Sequence, residues 1–294
     1  MMAAHDPRPG PRSGGSTSGS AGIRELAYAK LNLVLHVGRP RPDGLHPICS
    51  IFASLDLADE LHVRPADTDT VECPGVQGPN LAAAALEAFR AEVPSAQPLH
   101  VRIDKRIPIA AGLGGGSADA AAVLRAANRL TGEPLTPDRL RAIAATLGSD
   151  VPSQVEPGHA LVAGTGEPVE QVALPPLPVV LVPQDEGLAT VDVYAQLDRM
   201  EGWREWLDTE AVRAVLDSEP SGWETSFQND LQPAALALRP ELAAVIDGLR
   251  AAGGLAAGVS GSGPTCFGLF ADRRTAEATA EAIPGALVTS LRER

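Results

Sequence analysis

The sequence predicts an α+β protein with two domains. In both halves of the 294-residue chain, apolar segments with the spacing of strands are interleaved with segments whose apolar residues recur at helical spacing. A hydrophobic content of 44% is sufficient to fill two ordinary cores at this length. We expect a disordered tail rich in Pro, Gly and Ser over residues 1–22, followed by domains over residues 23–166 and 167–294.

The first predicted domain begins with a strand from Ile23 to Val37. Its alternating apolar residues place Asn32 and His36 on one face of the strand, opposite Leu31 and Leu35. The remaining strands of this domain are expected within residues 48–57, 60–63 and 99–104. One helix is expected near residues 80–91, a second after an N-cap at residue 117 and a third after an N-cap at residue 136. In the second domain, strands are expected at residues 179–182, 256–259, 266–270 and 286–289, and helices near residues 191–200, 242–251 and 276–283.

The net charge and the cysteine content indicate which binding partners and which cellular compartment to expect. A net charge of −13 disfavours binding to nucleic acid or to acidic membranes, because both are polyanions. No apolar run has the length of a transmembrane helix, and the tail lacks the apolar core of a signal peptide. Cys49, Cys73 and Cys266 have no metal-ligand spacing and suit reduced thiols. We therefore expect a cytoplasmic protein without nucleic-acid or membrane partners.

The stretch from Pro108 to Leu124, PIAAGLGGGSADAAAVL, places four glycines directly before a helical pattern. Glycines let backbone N–H groups approach a ligand closely, and a helix N-terminus attracts anions. Ser117 is the expected N-cap of this helix. The pattern matches neither a P-loop, which needs Gly-Lys-Ser/Thr, nor a dinucleotide fingerprint. The alternative interpretation is a tight loop between a strand and a buried helix.

A second glycine-rich segment, AAGVSGSGPTCFGLF, contains Gly258, Gly261 and Gly263 between two apolar strands. It is compatible with two interpretations of equal weight. One is an ordinary hairpin loop. The other is a second backbone wall that faces the first glycine loop across a ligand cleft.

Phosphoryl transfer also needs a cation and a group that orients or deprotonates the attacking hydroxyl. Lys30 is a candidate for the cation, because it lies in the apolar strand AYAKLNLVL. Asp150 follows the helix-ending Gly148 in LGSDVP and is a candidate for the second group. The alternative for Asp150, favoured in the absence of other context, is a turn or N-cap aspartate.

Six segments in order resemble the GHMP kinases: AKLNLVL, RPDGLH, IDKRIPIAAGLGGGSADAAAVL, LGSDVP, NDL and GVSGSGPTCF. The resemblance extends from about Leu26 to the C-terminus. It implies an N-terminal domain like ribosomal protein S5 domain 2 and a C-terminal ferredoxin-like α/β sandwich. It also implies ATP and Mg²⁺ as cofactors, a small-molecule cytidine diphosphate substrate, and a monomer or homodimer.

The resemblance assigns roles at matching positions. Lys30 and Asp150 would be catalytic. ATP would bind at Asn80, Lys105, Pro108, Ala111, Gly112, Leu113, Gly114, Gly115, Gly116, Ser117 and Ala118. The substrate would bind at Asn32, His46, Tyr194, Gly261 and Ser262. No paired carboxylates identify the metal ligands, although Ser117 is a candidate.

One position departs from the family pattern. Leu45 stands where an aromatic residue usually precedes the histidine, so that the cytosine ring would lose one of two stacking partners. This departure keeps a second hypothesis open, a GHMP kinase for homoserine, a mevalonate derivative or a sugar. A third hypothesis is a nucleotide-binding module without turnover, which the presence of both Lys30 and Asp150 disfavours.

Overall fold

The computed structural model describes residues 22–76 and 78–293. The predicted tail therefore lies, except for Gly22, outside the described residues. The first sheet has six strands: β1 (Ile23–Val37), β2 (Ile48–Pro65), β3 (Thr70–Glu72), β4 (Leu99–Asp104), β5 (Ala160–Gly164) and β6 (Glu167–Gln171). Strand β2 pairs with β1 along one edge, while β4 and β5 pair with different parts of its other edge.

Strand β2 is one long strand where the sequence pattern predicts two. The polar residues that interrupt its apolar pattern are paired within the fold, so they do not end the strand. Buried Asp59 bonds to Lys105, and Glu60 pairs with Arg24 and Arg106. A buried charge is tolerated in a sheet when it is paired and hydrogen-bonded.

Helices α1 (Leu81–Glu92), α2 (Gly115–Leu130) and α3 (Pro137–Ala145) cover one face of the first sheet. Thr136 caps α3 through a bond from Arg139 N, as the sequence predicts. Helix α2 differs from its prediction, because it begins at Gly115 with Gly114 as the N-cap, and Ser117 makes no cap bond. Gly114 has φ 70°, a left-handed conformation that glycine adopts without strain, so the chain enters the helix before reaching Ser117.

The second sheet contains β7 (Pro178–Val182), β8 (Ala256–Val259), β9 (Cys266–Leu269) and β10 (Leu287–Ser290), in the order β10-β7-β9-β8 and antiparallel throughout. Helices α4 (Thr190–Arg199), α5 (Thr209–Ala214), α6 (Trp223–Ser226), α7 (Gln232–Leu238) and α8 (Leu242–Ala251) lie between β7 and β8, and α9 (Arg273–Glu281) lies between β9 and β10. A β-α-β-β-α-β order with these neighbours is the ferredoxin-like arrangement expected.

The two sheets share a core. Val180 and Val182 of β7 pack among residues of α8 and α9, whereas Val179 and Leu181 pack among residues of β1 and β2. This alternation follows from the two-residue period of a strand. No helix among residues 22–76 and 78–293 is long and apolar enough to cross a membrane.

The hairpin β5–β6 was not predicted, although its two-residue connection, Thr165-Gly166, is typical of a hairpin turn. The predicted domain boundary at residues 166 and 167 falls at this turn, and β6 pairs with β5 in the first sheet. The division at that boundary stays a prediction.

Candidate active site

A cavity of about 750 Å³ opens between the two halves of the chain. Its walls come from β1, β2, the glycine loop, the segment behind α3, helix α4 and the loop between β8 and β9. The predicted site residues that line it are Lys30, Asn32, His46, Gly112, Gly114, Ser117, Asp150, Tyr194, Gly261 and Ser262. The predicted residues that do not line it are Asn80, Lys105, Pro108, Ala111, Leu113, Gly115, Gly116 and Ala118.

Lys30 and Asp150 form an ion pair in the wall of this cavity, with 3.2 Å between Lys30 Nζ and Asp150 Oδ2. The lysine side chain is 7% exposed and the aspartate 28%, so the carboxylate is the partner that a ligand can reach. Lys30 Nζ also donates to Asn32 Oδ1 and lies 4.6 Å from the centroid of the Phe52 ring. The ammonium is therefore held in place before any ligand arrives.

Asp150 is not the N-cap of the short helical turn at Pro152–Gln154. That turn has Val151 at its N-cap position and no side-chain cap bond. Ser153 Oγ donates to the backbone oxygen of Asp150, and the carboxylate is left to pair with Lys30.

Strand β1 carries a bulge that decides which of its residues reach the cavity. Asn32 pairs with Phe52, but Val34 pairs with Ile51, so Leu33 is an extra residue. One extra residue reverses the alternation of faces along the rest of the strand. Leu35 therefore lines the cavity with Asn32. The prediction that Asn32 and His36 share a face was wrong for this reason.

The two glycine segments lie against one another. Ser260 Oγ donates to Gly112 O at 3.1 Å, and Lys30 N donates to Leu113 O at 2.9 Å. The second segment is the loop of the β8–β9 hairpin and also a wall of the cavity through Gly261 and Ser262. The hairpin-loop interpretation is therefore confirmed, and the role of this segment as a ligand-facing wall stays a prediction.

Gly112 is the point of closest approach between these segments. It has φ 75°, and a Cβ there would lie 2.7 Å from the backbone oxygens of Ser260 and Gly263. We expect Gly112→Ala to lower the free energy of unfolding by about 1–3 kcal/mol, because the loop must shift. Denaturant unfolding measures this effect.

Gly132→Ala is the matched control, since Gly132 has φ 84° and no atom within 4 Å of a Cβ. It carries the same backbone strain without the clash. Equal effects of the two substitutions would show that the close contact at Gly112 is unimportant.

Ser117 lies in the first turn of helix α2, where backbone N–H groups have no intrahelical partner. Beside it, a Cβ on Gly116 would meet only Leu81 Cδ1, at 3.8 Å, so there is open space at this helix end. Free N–H groups, the helix dipole and open space together suit a phosphate.

The other end of the cavity holds His46 and Tyr194, whose ring centroids are 5.2 Å apart. His46 Nδ1 donates to Gly38 O at 2.8 Å, and its Nε2 lies 3.3 Å from Asp198 Oδ1. Burial and, to a lesser extent, the charge of Asp150 raise the pKa of Tyr194 to about 12, so the phenol stays neutral at physiological pH. Leu45 also lines the cavity here and is 55% exposed.

Asn80 and Lys105, which the resemblance assigns to ATP binding, occupy the other flank of helix α2. Asn80 caps α1, with Oδ1 accepting from Ala82 N at 2.8 Å. Lys105 Nζ bonds to the carboxylates of Asp59 and Asp119.

Several residues that line the cavity were not predicted: Phe52, Ser149, Thr165, Thr190, Val191 and Asp198. Thr190 Oγ1 lies 2.9 Å from Ser262 Oγ, which ties the start of α4 to the second glycine segment. Helix α4 brings Thr190, Val191 and Asp198 to the cavity. The other three lie on β2, behind α3 and at the β5–β6 turn, so it is the packing of distant segments that gathers the set. The turn signature at Thr165-Gly166 is the one pattern that could have identified a member of this set.

The fold and this site define a kinase of the GHMP class. The model of the GHMP kinases N terminal domain matches residues 80–159, and that of the GHMP kinases C terminal domain matches residues 213–288. Together they span the glycine loop, Asp150 and the second glycine segment. The protein is thus an ATP-dependent small-molecule kinase.

Within this class the chain belongs to the 4-diphosphocytidyl-2-C-methyl-D-erythritol kinase family. It is 43% identical to the kinase of that name from Anaeromyxobacter sp. (strain K), over 88% of this chain and 84% of the relative. A crystal structure of 4-(cytidine 5'-diphospho)-2C-methyl-D-erythritol kinase matches with a TM-score of 0.80 and 36% identity, covering 92% of this chain and 100% of that chain.

A homoserine kinase from Cytophaga hutchinsonii ATCC 33406 also matches, with a TM-score of 0.67 over 92% of this chain and 94% of that chain. Its 18% identity shows a shared fold alone.

Proposed function

We propose that this protein transfers the γ-phosphoryl group of ATP to the 2-hydroxyl of 4-diphosphocytidyl-2-C-methyl-D-erythritol. The observation that carries the proposal is the buried Lys30, paired with the more exposed Asp150 inside the cavity. A glycine loop and a helix N-terminus lie on one side of this pair, and His46 and Tyr194 lie on the other. A phosphate donor and a base-containing acceptor can therefore meet at the carboxylate.

In the proposed reaction Asp150 accepts the proton of the substrate hydroxyl. The hydroxyl oxygen forms a bond to the γ-phosphorus while the bond to the β-phosphate oxygen breaks and ADP leaves. Lys30 places a positive charge beside the group in transfer and orients Asp150 through their ion pair. The backbone N–H groups of Gly115 to Ser117 bind the phosphates.

The residues present also fit a bound Mg²⁺. The cavity offers a hydroxyl oxygen on Ser117 and a carboxylate on Asp150, the oxygen ligands that Mg²⁺ prefers. In the described part of the chain, no group of three His, Cys, Asp or Glu residues could hold a metal. Mg²⁺ usually binds through one or two carboxylates, waters and substrate phosphates. When bound, it would neutralise charge on the phosphates.

The acceptor is proposed to bind with its cytosine beside His46 and Tyr194 and its diphosphate near Gly261 and Ser262. The hydroxyl to be phosphorylated would then lie beside Asn32. Asn32 is fixed for this task, since its Nδ2 donates to Ser50 Oγ at 3.0 Å and its Oδ1 accepts from Lys30.

A substrate panel tests the proposal. Purified protein with ATP and Mg²⁺ is assayed for ADP release with the cytidine-linked substrate, homoserine, mevalonate and a hexose. We expect turnover with the cytidine-linked substrate alone. Turnover only with another panel member would replace the proposed acceptor, and ATP binding without turnover on any of them would favour a non-catalytic nucleotide-binding module.

Leu45→Tyr is expected to lower the KM for the cytidine-linked substrate about tenfold. The side chain at this position is exposed and lines the cavity next to His46, so a ring there can stack on the base. Stacking of a base on an aromatic side chain contributes about 1–3 kcal/mol. The KM for ATP should not change and serves as the internal control. An unchanged or raised substrate KM would show that the cytosine does not lie against residue 45.

A monomeric or homodimeric state and a cytoplasmic location complete the proposal. Light scattering of the purified chain tests the first and cell fractionation tests the second. Limited proteolysis near residues 166 and 167 tests the proposed domain boundary.

A further inference from the structure

The segment Asn229-Asp230-Leu231 is part of the resemblance to the GHMP kinases, but the proposed reaction gives it no role. It lies between helices α6 and α7, next to the end of β1. Leu35 N donates to Gln228 O at 2.8 Å, and Asp230 N donates to Leu35 O at 2.9 Å. Asp230 Oδ2 also accepts from Val37 N at 2.9 Å. The segment is therefore fixed to the first sheet.

The side chain of Asn229 reaches from this segment to the loop between β8 and β9. Its Nδ2 donates to Val259 O and to Gly261 O, each at 2.8 Å, and its Oδ1 accepts from Leu231 N at 2.9 Å. The orientation of the amide is unambiguous, because the two carbonyl oxygens can only accept and the backbone N–H can only donate. One side chain thus joins the first sheet to the second glycine segment.

These bonds also fix the direction of N–H groups in the loop. In a trans peptide the C=O of one residue and the N–H of the next point in opposite directions. Because Gly261 O is held by Asn229, the N–H of Ser262 points away from Asn229. Ser260 O accepts from Gly263 N at 2.9 Å, which fixes the N–H of Gly261 in the same way. In the part of the chain that the structure describes, neither of these two N–H groups has a hydrogen-bond partner.

The two free N–H groups belong to residues that line the cavity, Gly261 and Ser262, whereas Asn229 does not line it. Gly261 has φ 58°, and adjacent N–H groups around a left-handed residue form a concavity that binds anions. A Cβ on Gly261 would lie 2.9 Å from Asn32 Oδ1. The loop is therefore next to the position proposed for the acceptor hydroxyl.

The diphosphate of the proposed acceptor finds little positive charge in this cavity. Among the cavity-lining residues that the structure describes, Lys30 is the one lysine or arginine, and it is paired with Asp150. A diphosphate that enters a cavity needs hydrogen-bond donors to replace the water it loses. The backbone N–H groups of the second glycine segment can supply them.

We propose that Asn229 is a positioning residue for the acceptor diphosphate. The inference rests on the proposed function, which places that diphosphate near Gly261 and Ser262. By holding Gly261 O, the Asn229 amide keeps the N–H groups of these two residues directed at the phosphate oxygens. Asn229 acts through the loop and does not touch the reacting atoms.

Asn229→Asp tests this role with a side chain of the same shape. Its carboxylate oxygens would face the carbonyl oxygens of Val259 and Gly261 and repel them, so that the loop shifts. We expect the KM for the cytidine-linked substrate to rise about tenfold, the size expected for loss of one hydrogen bond to a charged group. The kcat and the Kd for ATP should stay within about threefold of wild type, since Lys30, Asp150 and helix α2 are unchanged.

Asn229→Leu separates positioning from charge. Leucine has a similar branched shape, is neutral and has no donor for the two carbonyl oxygens. We expect the substrate KM to rise about tenfold here as well. If only Asn229→Asp raises it, the effect is repulsion between the new charge and the substrate, and the inference is overturned.

Asn128 gives the matched control, because it holds a backbone segment in the same way outside the cavity. It is 6% exposed, its Nδ2 donates to Leu135 O and its Oδ1 accepts from Leu135 N, both at 3.0 Å. Asn128→Asp and Asn128→Leu should lower the melting temperature and leave the substrate KM unchanged. The same pattern in the Asn229 variants would show a merely structural role and overturn the inference.

Hydrogen exchange of the wild-type protein keeps the inference testable if the Asn229 variants do not fold. The N–H groups of Gly261 and Ser262 should become more strongly protected when the cytidine-linked substrate binds, whereas cytidine, which carries no phosphate, should not protect them. Mass spectrometry of peptides that span residues 259–263 measures this change. Equal protection by cytidine, or none by saturating substrate, would overturn the inference.

Wild-type turnover separates this inference from the proposed function. Turnover with the cytidine-linked substrate keeps the proposed function intact whichever result the Asn229 variants give. If the wild type turns over only another member of the substrate panel, the proposed function and this inference fail together.

Discussion

Asp150→Asn should lower kcat by a factor of about 10²–10⁴, the range for loss of a general base. The amide has the shape of the carboxylate, and its oxygen can still accept a bond from Lys30. It cannot take up the proton of the substrate hydroxyl. Because the buried Lys30 loses its charged partner and keeps its bond to Asn32, the melting temperature should fall by a few degrees.

Binding data separate this role from a structural one. The Kd for ATP measured without Mg²⁺ should stay within about threefold of wild type, since the proposed phosphate contacts come from backbone N–H groups. Asp138→Asn, at an exposed side chain in α3, is the control and should be fully active. An Asp150→Asn protein with a kcat near that of wild type would remove Asp150 from the mechanism.

Local patterns in the sequence predicted most of the regular structure. The strand at Leu99–Asp104, the helix at Leu242–Ala251 and the strand at Ala256–Val259 have the predicted bounds. Each of these elements has a clear apolar period and a turn or polar break at its ends. Short elements such as β3 and α6 were missed, because three or four residues do not establish a period.

Where prediction failed, a single residue changed the geometry without changing the apolar pattern. The bulge at Leu33 leaves the sequence of strand β1 looking regular, yet it moves Leu35 to the cavity face. Likewise, Gly114 and Ser117 are both acceptable N-caps, and only the left-handed backbone at Gly114 settles where α2 begins. Neither choice can be made from local residue preferences.

In the site, too, residues with a local sequence pattern could be predicted, whereas contacts between distant segments could not. The glycine loop, Lys30 and Asp150 could be identified from their residue types and by resemblance, and the structure brings them to one cavity. The ion pairs of Lys105 could not, since its partners Asp59 and Asp119 are 60 residues apart in sequence and each has an unremarkable local setting. Asp59 interrupts a strand pattern, and it is the bond to Lys105 that explains why the strand tolerates it.

Lys30→Met should lower kcat by a factor of about 10²–10³, while the protein folds normally. Methionine matches the length of the lysine stem, so it can keep the packing against Gly114, where a Cβ would lie 2.9 Å from Lys30 Cγ, and against the Phe52 ring. It removes the positive charge beside the transferring phosphoryl group and the partner that orients Asp150. Single-turnover kinetics measure the rate of phosphoryl transfer, and the Kd for ATP shows whether the nucleotide still binds.

Lys30→Arg sharpens the test by keeping the charge. The guanidinium is too broad for the space between Gly114 and Phe52, so we expect a loss of kcat of similar size to that of Lys30→Met. Arg273→Met, at an exposed cation of α9, should be fully active and controls for the change in net charge. If Lys30→Arg is as active as wild type, charge alone matters at this position. If Lys30→Met is also active, the buried ion pair on which the proposed mechanism depends has no part in phosphoryl transfer.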